Sequence, residues 1–184
     1  MKLLLDTCVL YPTVMREMLL GCAQAGLFEP LWSEQILGEW RHTAGKLSAQ
    51  GAAQGETEIA FATIAHPKAC VALRDDQMAR FWLPDAGDIH VLAAAVIGGA
   101  DGIVTMNNKD FPQNILAEEG LSRINPDALL LGFVQAQQGA VAQVAAQILA
   151  QANAMDSASG RGDWSLRALL KKARLPRTAK ALGG

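Results

Sequence analysis

Lys2-Leu3-Leu4-Leu5-Asp6-Thr7 opens the chain with an apolar run that ends in an acid. The run does not alternate, so it predicts a central strand over Lys2 to Leu5, buried on both faces. Ile103-Val104-Thr105-Met106-Asn107-Asn108-Lys109-Asp110-Phe111 repeats the design, a short apolar strand running into polar and acidic residues. Between them, Asp85-Ala86-Gly87-Asp88-Ile89-His90-Val91-Leu92-Ala93-Ala94-Ala95 sets aspartates at the start of an apolar helix. A parallel sheet collects the carboxyl ends of its strands, and the helix starts that follow them, along one crevice. Carboxylates gathered there repel one another unless a hard cation lies between them, and Mg²⁺ prefers such an oxygen cage. The pattern predicts metal-assisted chemistry on an anionic substrate.

Working outward, a helix is expected over Val14 to Ala25, stopped by Gly26. Ser33 can cap a second helix to about Leu47, with Ile36, Leu37, Trp40, Ala44 and Leu47 as its apolar stripe. Gln50 to Gln54, with two glycines nearby, reads as a loop, and Thr57 to Ala65 as a helix ended before Pro67. Val71 to Leu73 and Ser122 to Ile124 suit short strands, and Ile115 to Glu119 a short helix. Asp127 to Gln138 and Ala140 to Ala154 read as two helices, Met155 to Gly160 as a linker, and Trp164 to Arg174 as a last amphipathic helix. Strands alternating with helices predict an α/β fold, a three-layer α/β/α sandwich on a mostly parallel sheet with a helical C-terminal extension. The expected boundary divides a domain of residues 1–132 from a basic helical extension of residues 133–184.

With 184 residues and 51% hydrophobic content, the chain can bury a real core and is no disordered segment. Much of that content is alanine and aromatics are few, which favours helices on a sheet over a β-sandwich. Cys8, Cys22 and Cys70 form no Cys-x-x-Cys pair, as in a reducing compartment. Asp6 interrupts the only signal-like start, and no apolar run approaches the roughly 20 residues of a membrane span. A soluble cytoplasmic protein with no membrane partner is expected. The net charge of −2 is unevenly spread: from Arg161 onward seven basic residues face Asp163 alone, a net of +6 against −8 for the rest. That asymmetry suits a polyanionic partner.

Each candidate also has a bland reading. Asp6 could be a turn former, and Asp88 a helix cap, although Asp85 can take the capping role and leave Asp88 to the crevice. Glu39 lies about 100° from Trp40 on the helical wheel, where a solvated flank is the usual reading. Asn107 could form a turn and Asp110 a cap. Arg16 could reach a phosphate or simply pair with Glu17. His42, His66 and His90 lack zinc spacing, and the chain has neither Gly-x-Gly-x-x-Gly nor a P-loop. The convergence of several acids on one edge is what favours a functional reading.

The opening Leu3-Leu4-Leu5-Asp6-Thr7-Cys8-Val9-Leu10, Ile36-Leu37-Gly38-Glu39-Trp40, Asp88 to Ala95 and Ile103 to Phe111 together resemble, in order, the PIN domains. These are small metal-dependent ribonucleases that include the VapC-like toxins of toxin–antitoxin pairs. The resemblance covers about residues 1–130 and implies an endoribonuclease cleaving RNA to 5′-phosphate products. It implies Mg²⁺ or Mn²⁺ as cofactor, with Asp6, Glu39 and Asp88 as metal-binding and catalytic acids. The fourth family position falls on Asn107, which offers a carbonyl oxygen but no charge, and Asp110 is expected as the working fourth acid. Thr105, Arg16, Lys171 and Lys172 are expected to meet substrate. RNA, a cognate antitoxin protein and a second copy of the chain are the partners the resemblance admits. The stretch Ala49 to Arg80 is longer than a compact toxin requires. A PIN fold that binds nucleic acid or a partner without hydrolysis is the alternative.

Overall fold

The strands line up in the order β3-β2-β1-β4-β5, all parallel, in a computed structural model that describes residues 1–46, 48–158 and 163–183. In chain order the elements are β1 (Lys2–Leu5), α1 (Thr7–Leu10), α2 (Thr13–Gln24), β2 (Glu29–Ser33), α3 (Glu34–Gly45), α4 (Ala49–Ala65), β3 (Cys70–Val71) and α5 (Asp75–Met78). A 3-10 turn (Ala86–Asp88) leads into α6 (Ile89–Ile97), followed by β4 (Gly102–Val104), α7 (Gln113–Glu118) and β5 (Ser122–Ile124). The chain ends in α8 (Pro126–Ala158), α9 (Leu166–Lys172) and α10 (Pro176–Leu182). The chain forms two compact units, Met1–Tyr11 with Phe28–Ile124, and Pro12–Leu27 with Asn125–Gly184. Residue 132, the expected boundary, falls within α8.

The first unit holds the whole sheet. Leu3, Leu4, Leu5, Ile103 and Val104 are fully buried, as the unbroken apolar runs of β1 and β4 require. Connections from β1 through β2 to β3 build one side of the sheet, and β4 and β5 extend it on the other. The direction of building therefore reverses between β1 and β4, where open parallel sheets form their ligand crevice. Residues 6 and 105 follow directly from the register Leu5↔Val104.

Two expectations in this unit need correction. Glu29–Ser33, given no strand in the sequence reading, is β2. Pro30 argues against a central strand because it cannot donate to a ladder, but β3 meets β2 only at Trp32 and Ser33, so Pro30 lies beyond that short pairing. Gln50 to Gln54 is not a loop but the first turns of α4. A Cβ on Gly51 would stand 2.7 Å from the Ala44 carbonyl oxygen, and one on Gly55 2.8 Å from the Ala44 Cβ. These glycines let α4 press against α3. Ser33 caps α3 as expected, its Oγ accepting from Ile36 N at 3.3 Å, a contact of about 1 kcal/mol. Leu47, the last stripe residue expected, lies outside the described residues.

In the second unit, α8 runs through Asp127 to Ala154 with a single break at Gln137 (φ −145°, ψ 60°), close to the expected joint between two helices. The expected linker from Met155 is helical to Ala158. Trp164 accounts for this, exchanging hydrogen bonds with Asn153 (2.7 and 3.2 Å) and donating Nε1–H to Asp156. Ser159 and Gly160 lie outside the described residues, as does Arg161. Helix α10 was not expected. Buried Asp127 accepts from the backbone N–H of Arg177 and of Thr178, both at 2.9 Å, and from Thr178 Oγ1 at 2.8 Å. A carboxylate at a helix start pairs orphan donors and favours the dipole. Among the described residues no helix is long and apolar enough to cross a membrane.

Candidate metal centre

Asp6 is placed by backbone geometry. Its N–H donates to the Val104 carbonyl at 3.2 Å, and its own carbonyl accepts from Val9 and Leu10 as α1 begins. The buried carboxylate turns toward β4, where Oδ2 accepts from Thr105 Oγ1 at 2.6 Å and from the Cys8 thiol at 3.0 Å. Met106 N donates in turn to Cys8 Sγ at 3.2 Å. Burial, then the charge of Asp6, pushes the Cys8 thiol up to about 12. Cys8 therefore stays protonated, a donor to Asp6 rather than a nucleophile.

Glu39 projects from α3, half-exposed beside the buried Trp40. Its Oε2 accepts from Thr7 Oγ1 at 2.7 Å and its Oε1 lies 2.8 Å from His90 Nε2. Burial pushes this carboxyl up, but the hydrogen bonds from His90 and Thr7 outweigh it and hold the group below its ordinary range.

Asp85 caps the 3-10 turn, its Oδ1 accepting from Gly87 N at 2.8 Å. Asp88 precedes α6 yet makes no side-chain capping bond. Asp85 caps the 3-10 turn that leads into α6, and the Asp88 carboxylate is left to its neighbours. Carboxylate oxygens of Asp85, Asp88 and Asp110 lie within 4.8 Å of one another. Asp88 is raised from 3.8 to about 6, by burial first and then by the charges of Asp6, Asp85, Asp110 and Glu39. The other four acids thus all act on Asp88.

Asn107 holds the β4 side together. Its backbone N–H donates to Thr105 Oγ1 at 2.9 Å, its Nδ2 to Asp88 Oδ2 at 3.4 Å, and its Oδ1 accepts from Asp110 N at 3.4 Å. In this pose it presents a donor, not its oxygen, to Asp88. Thr105 is fully buried, its Oγ1–H donating a hydrogen bond to Asp6. Arg16 belongs to the second unit, buried on α2 with Nε 3.4 Å from Glu17 Oε1. Lys171 and Lys172 end α9, both exposed, with Lys172 Nζ 4.7 Å over the Trp164 ring.

Four residues of this network were absent from the expected site. Thr7 and Cys8 have no signal beyond adjacency to Asp6, and Asp85 is visible only as a cap. His90 did carry one: a lone imidazole in an otherwise apolar, buried helix needs a polar partner.

The donor set is a chemical test of what it can hold. Every charged group is a carboxylate, hard and anionic, and no thiolate or bare imidazole faces Asp88 among the described partners. Octahedral Mg²⁺ at about 2.0–2.1 Å places opposite oxygens roughly 4.2 Å apart, close to the span of the Asp85, Asp88 and Asp110 group. The residues fit a hard divalent cation and do not favour a soft one.

The sequence profile of the PIN domain matches residues 2–109, more than half of the chain. The chain belongs to the PIN-domain family, whose members are generally nucleases. No curated protein and no solved structure matches it at significance.

Proposed function

We propose that the protein is an endoribonuclease that hydrolyses RNA phosphodiesters with Mg²⁺ or Mn²⁺. The observation that carries this reading is the group of Asp85, Asp88 and Asp110, electrostatically coupled to Asp6 and Glu39, at the carboxyl edge where the order of strand building reverses. Asp88 and Asp110 would hold the cation, with Asp6 and Glu39 completing its surroundings and Asp85 at the rim. A bound divalent ion would lower the pKa of a water ligand and screen charge developing on the phosphate. The chain's own residues supply orientation: Thr105 and Cys8 fix Asp6, Thr7 and His90 fix Glu39, and Asn107 fixes Asp88.

Substrate would be steered by the basic residues after Asp163, among them Lys171 and exposed Arg174. Arg16, buried as it is, has no part in this reading. The toxin of a toxin–antitoxin pair is its narrower form, supported by the motif resemblance, and co-purification with the product of an adjacent reading frame tests it. The second reading, a PIN fold that binds RNA without cutting it, draws on Asn107, which adds no charge where many family members carry an acid.

Incubation of the full chain with pooled single-stranded and structured RNA separates these readings. The nuclease reading expects cleavage with Mg²⁺ or Mn²⁺, loss of cleavage in EDTA, and 5′-phosphate ends. Binding without cleavage in every metal supports the second reading and overturns the first.

A further inference from the structure

Helix α6 is apolar from Ile89 to Ile97 except at His90. His90 lies in its first turn, two residues after Asp88, and is 3% exposed. A buried imidazole is costly unless both nitrogens are partnered. Here Nδ1 is buried with no hydrogen-bond partner among the described residues, while Nε2 reaches Glu39 Oε1 at 2.8 Å. A leucine would fill the space without that cost, so packing alone is a poor account of a histidine at this place. A carboxylate can only accept, so Nε2 carries the proton and donates it to Glu39.

The second Glu39 oxygen is held by Thr7 at 2.7 Å. Glu39 is otherwise a long side chain on a half-exposed helix face, with several rotatable bonds. Gripped at both oxygens, its carboxylate is fixed in plane and direction. The bond also spans two elements, because α3 carries Glu39 and the start of α6 carries Asp88. It closes a ring: Thr7 follows Asp6, Asp6 accepts from Thr105, Thr105 accepts from Asn107, and Asn107 donates to Asp88. His90 joins the Asp88 end back to Glu39.

We propose that His90 is a positioning residue, whose Nε2–H sets the Glu39 carboxylate relative to Asp88 so that the site takes up a divalent cation. This rests on the metal-nuclease reading above. His90 itself does not touch the cation or the RNA; it acts through Glu39. Partners that orient metal-binding carboxylates in this way typically change metal affinity by about 10–100-fold when removed.

The test is a calorimetric titration of Mn²⁺, without RNA, into the full chain and its variants, with melting temperatures in EDTA alongside. His90→Gln keeps an N–H donor at similar reach and should bind Mn²⁺ within a few-fold of wild type. His90→Asn falls short of Glu39 and His90→Phe keeps the ring without the donor, and each should lose about 10–100-fold. In a Glu39→Gln background, His90→Phe should cost little more, because the group it orients has already lost its charge. If His90→Phe fails to fold, the contrast of His90→Gln with His90→Asn decides. A well-folded His90→Phe that binds Mn²⁺ like wild type overturns the proposal, as does an equal loss with and without Glu39. Wild type that binds no Mn²⁺ overturns the nuclease reading and this inference together, whereas a metal-binding, RNA-cleaving wild type matched by His90→Phe overturns the inference alone.

Discussion

Asp6 and Glu39 form one set of acids at the candidate site and Asp85, Asp88 and Asp110 another, and the protein treats the two sets differently. Asp6 accepts from a hydroxyl and a thiol, and Glu39 from a hydroxyl and an imidazole. For Glu39 the hydrogen bonds from His90 and Thr7 outweigh burial and hold the carboxyl below its ordinary range. In the other set, Asp88 receives one long bond from Asn107, and its oxygens face Asp85 and Asp110. Burial, and then the charges of Asp6, Asp85, Asp110 and Glu39, raise it to about 6. The first pair is satisfied by the polypeptide; the second group is left short of positive charge. A site built this way would hold part of a cage rigid in advance and would leave the rest of the stabilisation to a cation.

The sharpest way to break this contrast is in the satisfied set. Asp6→Asn keeps the shape and removes the charge, so the fold should survive while RNA cleavage falls by orders of magnitude. Normal cleavage by a folded Asp6→Asn protein would place the chemistry elsewhere. In the other set, Asp110→Ala should reduce kcat more than Asn107→Ala, since Asn107 offers a hydrogen bond and no charge. The reverse order in a purified assay would make Asn107 the working fourth position.

A smaller effect separates the two sets without metal. Asp88 has a higher pKa folded than unfolded, so the folded state binds its proton more tightly. Its ionisation therefore costs stability as the pH rises from about 4 through about 6. In EDTA, Asp88→Asn should melt above wild type at pH 8 and level with it at pH 4, by a margin reduced because Asp88 is partly exposed. Equal melting at both pH values would mean that the repulsion is already relieved. The smallest effect belongs to the second unit. Lys171→Glu with Lys172→Glu should weaken RNA binding several-fold and flatten its salt dependence, as each lost phosphate contact lowers the slope by about one. Unchanged affinity and slope would make the end of α9 purely structural.

How much of this was legible follows from how local each cause is. Strands β1 and β4 were readable because Leu3-Leu4-Leu5 and Ile103-Val104 are apolar without alternation, and the acids that follow could be placed at one edge from that alone. Ser33 was readable as a cap from its own side chain. Strand β2 was hidden by Pro30, whose missing N–H is harmless only because β3 is two residues long. Helix α4 was hidden because Gly51 and Gly55 mark both loops and close packing, and only the position of Ala44 distinguishes the two. Helix α10 was hidden because Arg174 takes a left-handed φ of 62° and Pro176 restarts the helix, with its cap supplied by Asp127. The same distinction divides the site. Asp6 and Asp88 could be found from strand and helix ends, while the grip of His90 and Thr7 on Glu39 joins residues far apart in sequence.

The central claim is that Asp85, Asp88 and Asp110, together with Asp6 and Glu39, form one cation cage. Thermal melting with and without millimolar Mg²⁺ or Mn²⁺ at pH 8 tests it most directly, because a cation bound only by the folded state raises its stability. The cage predicts that either ion raises the melting temperature of wild type by several degrees and leaves Asp88→Asn and Asp6→Asn nearly unmoved. Equal stabilisation of wild type and both variants, or none in any of the three, would contradict it.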